Sequence, residues 1–302
     1  MKNLFVASYN KQRFAPFILE QAEALKRAGC DIEFFGVEGK GLSGYLKALP
    51  SLRRRIRSFC PDVIHAHYGL CGLLSGLQRR VPVVTTYHGS DINLKSVRPF
   101  SRVAMLLSSH NIFVSRKTLA LAKPRKHYSL VPCGIDLTDT QRTPKCEARK
   151  LMNLNPEGKY VLFAGAFDNA VKNYPLARAA AELVPGAELL ELKGYTREQV
   201  TLLMCAADAF LMTSFSEGSP QVIKEAMACG CPIVSVDVGD VAELTDGVDG
   251  CFVCRRDAAA LADALREAMQ VNRTAGLARI FERGFDNTVV AGRLISIYNS
   301  II

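Results

Sequence analysis

Phe210-Leu-Met-Thr-Ser-Phe-Ser-Glu-Gly-Ser-Pro-Gln-Val-Ile-Lys-Glu-Ala-Met-Ala-Cys-Gly-Cys-Pro232 reads as an apolar strand, a polar turn and an amphipathic helix in immediate succession. Glu217 falls in the turn, Pro220 suits a first helical turn, and Glu225 lies inside the helix, eight residues beyond the first carboxylate. Two acids therefore flank a helix start. Such a start offers unpaired amides and the positive end of the helix dipole, the physical requirement for holding a phosphate or a sugar hydroxyl. Gly218, Ser219 and Gln221 supply the nearest N–H groups, whereas Pro220 cannot donate. On spacing alone, an exposed turn with ordinary surface glutamates fits equally well.

Working outward, strand and helix alternate along the whole chain. Short apolar runs at Leu4–Ser8, Ile32–Val37, Asp62–His67, Val81–Thr86, Asn111–Val114 and Tyr128–Val131 are separated by helical patterns, the first begun by Pro16 and stopped by Gly29. The rhythm fails from Asp136 to Lys159, where a polar run containing proline reads as a linker. It restarts with strands at Tyr160–Gly165, Ala187–Leu192, Asp208–Met212, Pro232–Val236 and Gly250–Val253. Between these fit helices at Leu176–Leu183, Arg197–Ala206, Gln221–Cys229 and Ala258–Met269.

This alternation predicts an α/β chain with two doubly wound, Rossmann-like lobes and parallel sheets, the ligand sitting outside the strands' carboxyl ends in a cleft between the lobes. The expected boundaries are 1–138 for the first lobe, 139–158 for the linker, 159–284 for the second lobe, and 285–302 for a last helix. Val290, Leu294, Ile297 and Ile301 give that helix one apolar stripe, which is expected to cross back to the first lobe. No GxGxxG follows any strand, so standard dinucleotide binding loses support.

At 302 residues with 49% hydrophobic and 22% charged residues, the chain can bury a real core, which excludes a disordered tail or a minimal scaffold. Ten cysteines spread over this length, with no apolar leader in MKNLFVASYN, are expected to be reduced thiols in a cytoplasmic protein. Charged residues interrupt every stretch long enough to span a membrane. The net charge of +9 is uneven: the first 140 residues carry 21 basic and 9 acidic residues, the remainder 17 and 20.

The Glu-x7-Glu pair, with Ser235-Val-Asp-Val-Gly-Asp-Val-Ala-Glu243 and Gly250 after it, resembles the donor-binding signature of retaining glycosyltransferases of family 4, which have the two-lobed GT-B fold. The likeness extends through Lys172-Asn173, Val131-Pro-Cys-Gly-Ile-Asp136, Tyr87-His-Gly-Ser-Asp91 and Pro61-Asp-Val-Ile-His-Ala-His67. It implies that Glu225 accepts from ribose hydroxyls and that Glu217 stands beside the donor sugar and its phosphate. Lys172 is then the cation that neutralises the leaving diphosphate. Gly165, Lys193, Gly194, Gly218, Ser219, Gln221 and Val222 complete the donor set by the same likeness, and no metal is required. The family arginine shortly after the strand glycine is missing from Gly165-Ala-Phe-Asp-Asn-Ala-Val-Lys172, and Lys193 is a candidate replacement. The usual glycine-rich turn after the first strand is replaced by Ser8-Tyr-Asn-Lys-Gln-Arg13.

His88 matches the family histidine that reaches toward the donor sugar, and it joins Glu217 and Lys172 as the expected catalytic set. His65 and His67 point the same way from one strand, where a partly buried strand end is preferred to a metal site. Cys229, Cys231, Cys251 and Cys254 read as small apolar filler, with no structural zinc. The basic runs Arg53–Arg55, Arg79-Arg80, Arg116-Lys117 and Lys123-Pro-Arg-Lys126 suit an anionic membrane surface bearing a glycan or lipid-linked acceptor. Trp is absent and no groove-reading helix is visible, so nucleic acid is not an expected partner. The function expected is transfer of a sugar from a nucleotide-diphosphate sugar, in polysaccharide or glycolipid assembly at the inner membrane face. The alternatives are a nucleotide-sugar epimerase or phosphorylase of the same fold, and a non-catalytic two-lobed solute-binding protein.

Overall fold

β1 (Lys2–Ser8), α1 (Pro16–Arg27), β2 (Asp31–Val37), α2 (Gly41–Lys47), α3 (Leu49–Phe59), β3 (Val63–His67) and α4 (Gly69–Gly76) begin the first unit. β4 (Val83–Tyr87), α5 (Ser90–Asn93), α6 (Arg98–Leu107), β5 (His110–Phe113), α7 (Arg116–Ala122) and β6 (Tyr128–Leu130) complete its sheet. The computed structural model describes every residue except 11, 40, 126 and 138–141. Strand order is β2-β1-β3-β4-β5-β6, with every pairing parallel. Strands β3 and β4 are buried at every residue, the pattern of strands covered on both faces.

The second unit starts with α8 (Lys145–Leu151), β7 (Lys159–Phe163), a 3₁₀ turn at Ala170–Lys172, α9 (Tyr174–Glu182), β8 (Ala187–Leu190) and α10 (Arg197–Ala206). It continues with β9 (Ala209–Met212), α11 (Gln221–Ala228), β10 (Ile233–Val236), α12 (Val241–Thr245), β11 (Cys251–Cys254), α13 (Ala258–Ala268) and α14 (Gly276–Arg283). Its strand order is β11-β10-β9-β7-β8, again parallel throughout. Read from the other edge this repeats the first sheet's 2-1-3-4-5 order. The order of succession therefore reverses between β1 and β3 in one unit and between β7 and β9 in the other. Loops diverge at those points and leave room for a ligand.

The compact units are Met1–Gly134 with Phe285–Ile302, and Ile135–Gly284. α15 (Asn287–Asn299) thus belongs to the first unit, as its apolar stripe demanded. The Asp286 carboxylate accepts from the Thr288 amide at 2.6 Å and starts it. Val290, Ala291, Leu294 and Tyr298 then bury against Phe5, Ile18 and Leu25, with Val290 and Leu294 each worth about 1.5–3 kcal/mol of apolar transfer. Of the expected stripe, Ile297 and Ile301 stay partly buried, and Tyr298 takes the centre instead.

The expected linker over 139–158 differs from the structure. Residues 138–141 lie outside the described residues, but Lys145–Leu151 is helix α8. Arg149 explains why: it is 6% exposed, pairs with both oxygens of Asp208 at 2.9 and 2.8 Å, donates to the Ala206 carbonyl and lies over the Tyr160 ring. Lys145 reaches the same carboxylate at 3.0 Å. A polar segment becomes part of the unit because its charges are paired inside it.

Candidate functional site

In the second unit, three loops leave the carboxyl ends of β7, β9 and β10, around the point where strand order reverses. The 3₁₀ turn after β7 is pinned to the loop after β9: Thr213 Oγ1 donates to the carbonyls of Lys172 and Asn173, and the Phe215 amide donates to Val171. This places the Lys172 ammonium 2.8 Å from Glu217 Oε1, both side chains less than one-fifth exposed. The lysine stem runs across Gly165, where a Cβ would stand 3.0 Å from its Cγ. Lys172, Glu217 and Gly165 are therefore brought together, at the amino end of α11.

Pro220 is the N-cap of α11 and provides no side-chain cap, so the first amides of the helix are those of Gln221, Val222 and Ile223. Gln221 and Val222 are half-buried, and Gly218 is buried. Ser219 is also buried, with its hydroxyl bonded to Lys224 and Asp240. Glu225 stands one turn into the helix, 3.2 Å from Arg197, and burial pushes its carboxyl pKa up while Arg197 pulls it down. Lys193 and Gly194 lie in the exposed segment between β8 and α10. Lys193 does reach the 165–172 segment, where it pairs with Asp168 at 2.5 Å; the pair lowers the Asp168 pKa and raises that of Lys193.

In the first unit, His88 follows β4 and both its ring nitrogens have partners. Nε2 is 3.1 Å from His67 Nδ1, and Nδ1 is 3.6 Å from Cys133 Sγ. The ring is flanked by Phe17 and Tyr68. His65 stacks on His67 and contacts Thr86 at 2.7 Å and the Tyr298 hydroxyl at 2.6 Å. Burial lowers the His65 and His88 pKa values to about 3, and that of His67 well below the ordinary value. All three imidazoles are neutral near pH 7. Nearby, Asp91 accepts from the amides of Gly69, His88 and Gly89. Burial pushes it up to about 7 against those amides. A cavity of about 670 Å³ opens at the carboxyl ends of β1, β3 and β4, lined by Arg13, Phe14, Tyr45, Tyr68, Asp91 and Leu94 among others.

The sequence profile for Glycosyltransferase Family 4 matches residues 15–139, and that for Glycosyl transferases group 1 matches residues 161–270. Together they take in most of the chain. It belongs to glycosyltransferase family 4. TuaC of Bacillus subtilis, assigned to teichuronic acid biosynthesis, is 29% identical over 240 residues, 69% of this chain and 61% of TuaC. The D-inositol 3-phosphate glycosyltransferase of Mycolicibacterium smegmatis is 26% identical over 259 residues, 69% of this chain and 59% of that protein. The chain thus spans about three-fifths of these relatives. Among solved structures, sucrose-phosphate synthase of Thermosynechococcus elongatus superposes with a TM-score of 0.85 at 16% identity, covering 99% and 98% of the two chains. Anabaena HepE in complex with UDP-glucose gives 0.78 at 18% identity, covering 99% and 100%. The family 4 chain has the GT-B fold.

Sequence reading of the chain missed the parts played by Arg197, Lys224, Asp240 and Cys133. Lys224 alone left a signal, a lysine set between Ile223 and Met227 on the apolar side of its helix. Among the described residues no three His, Cys, Asp or Glu side chains are grouped to hold a metal ion, and all ten cysteines are free. No helix of the described residues is long and apolar enough to cross a membrane.

Proposed function

We propose that the chain is a retaining, metal-independent glycosyltransferase that moves a sugar from a nucleotide-diphosphate sugar to a glycan or lipid-linked acceptor. The observation carrying this is the Lys172 ammonium set 2.8 Å from Glu217 at the amino end of α11. Lys172 and the first amides of α11 hold the diphosphate. Glu225 takes the ribose hydroxyls, and Glu217 faces the sugar. In the transfer, the acceptor oxygen bonds to the anomeric carbon as the bond from that carbon to the diphosphate oxygen breaks. The electron pair leaves with the diphosphate, and the acceptor proton passes to it. UDP and UDP-glucose in the HepE complexes support a uridine nucleotide as the first probe, and polymer-building relatives such as TuaC support a polysaccharide acceptor.

The cavity of the first unit, with aromatic walls and the cationic Arg13, is the proposed acceptor site. For His88, the engagement of both ring nitrogens favours holding the Tyr68 wall of that cavity over reaching a sugar directly. Calorimetry with UDP and turnover of UDP-glucose test the donor half. We expect Glu225→Ala to raise the UDP Kd about tenfold or more with a smaller change in kcat, as loss of ground-state binding requires. Conversion of UDP-glucose without acceptor would replace this reading by an epimerase, and dependence on free phosphate by a phosphorylase. Binding without any turnover would leave a solute-binding protein. Anomeric configuration of the product, read by NMR, decides retention.

Membrane association is part of the same proposal. Between residues 39 and 135 the chain carries sixteen basic residues against Asp62 and Asp91, and Asp91 is buried. Such a surface should draw the protein to phosphatidylglycerol vesicles and not to phosphatidylcholine vesicles, with binding lost at high salt. Co-sedimentation checks this, and equal binding to both lipids would end it.

A further inference from the structure

Lys224 has no exposed surface, although it lies between the two acids that define the site. An ammonium buried there must be paired, and it is: Nζ donates to Ser219 Oγ at 2.5 Å and stands 3.4 Å from Asp240 Oδ2. Ser219 Oγ in turn donates to the same carboxylate oxygen at 2.5 Å. The three groups join two different loops, one between β9 and α11, the other between β10 and α12. Their backbones also touch. Gly239 has φ +55°, and a Cβ on it would stand 2.7 Å from the Gly218 carbonyl oxygen and 3.0 Å from Pro220 Cδ.

A buried ion pair is poor evidence of stability, because apolar side chains of similar volume often stabilise as well or better. A geometric duty accounts for it here. Ser219 is two residues beyond Glu217, and Lys224 immediately precedes Glu225, so the cluster fixes both acids and the helix amides between them. We infer that Ser219, Lys224 and Asp240 form an internal clasp that holds the Glu217–Gln221 turn in its anion-binding shape. Lys224 and Asp240 are thus positioning residues, in a role that rests on the donor reading above.

Two variants of the full chain test the clasp: Ser219→Ala, which removes one hydroxyl, and the double Lys224→Met with Asp240→Asn, which removes both charges. Hydrogen exchange and UDP calorimetry are the readouts. In both variants amides of residues 213–222 should exchange about tenfold faster while β9 and β10 keep their protection, and the UDP Kd should rise about tenfold. The melting temperature of Ser219→Ala should stay within about 2 °C of the parent. Unchanged exchange over 213–222 overturns the clasp. Faster exchange with unchanged UDP affinity overturns its positioning role and leaves a merely structural one. Should the double variant fail to fold, Ser219→Ala decides. If the parent binds neither UDP, GDP nor ADP, the donor reading falls, and exchange over 213–222 then judges the clasp independently.

Discussion

Replacing Lys172 by methionine should lower kcat by about 10²–10³-fold, the usual loss when one preorganised donor facing developing charge is removed. The methionine keeps the stem that crosses Gly165 and removes only the ammonium. Glu217→Gln should produce a loss of the same order, because its carboxylate is the group that holds the ammonium in place at 2.8 Å. If the two side chains act as one unit, the double variant will be little worse than either single one, far short of the product of the two effects. Lys172→Arg should recover only part of the rate, since a planar guanidinium does not fill the same point between the 3₁₀ turn and the loop after β9. Steady-state kinetics with UDP-glucose, together with UDP affinity, separate the contributions. A Lys172→Met enzyme with parental kcat would remove the leaving-group assignment, however well UDP bound.

The two sheets were readable because central parallel strands are continuous apolar runs. Leu4–Ala7 of β1 and Ala209–Met212 of β9 are apolar and buried throughout, so the polar residues that bound them mark strand ends. The helices between them were less so. α4 contains Gly69, Gly72 and Gly76, residues that weaken a helix in isolation. Their purpose is tertiary: a Cβ on Gly72 would stand 2.5 Å from Thr85. α8 hid in a polar run because its anchor, Asp208, lies 59 residues from Arg149. At the site, Glu217 and Glu225 could be picked out because two acids bracket a strand-to-helix junction, whereas Lys172 came only with the family resemblance. The Lys224–Asp240 pair could not, because nothing local joins a lysine on the apolar side of its helix to an aspartate sixteen residues on until the two loops close on each other.

Lowering the pH from 7.5 to 5 should cost the protein about 1 kcal/mol of stability or more, because the first unit's histidines outweigh the one buried carboxylate that acts the other way. Burial holds His65 and His88 at about 3 and His67 well below its ordinary value of 6.5. Below pH 6.5 the unfolded chain therefore takes up protons that the folded chain refuses, and stability falls until pH reaches the folded values. His65 and His88 each cost about 2 kcal/mol by pH 5, and His67 acts in the same direction. Asp91 acts in the opposite sense. Its folded value near 7 lies above the ordinary carboxylate value, so the folded state binds a proton first and regains nearly 3 kcal/mol over the same interval. The histidines outnumber it, and the balance is a net loss. Denaturant unfolding at several pH values measures the slope, and His67→Gln should flatten it by about one proton. Stability that rises on going from pH 7.5 to 5 would mean that the imidazoles are charged in the folded protein. The His67–His88 contact at 3.1 Å could not then persist, because two imidazolium rings have no acceptor nitrogen between them.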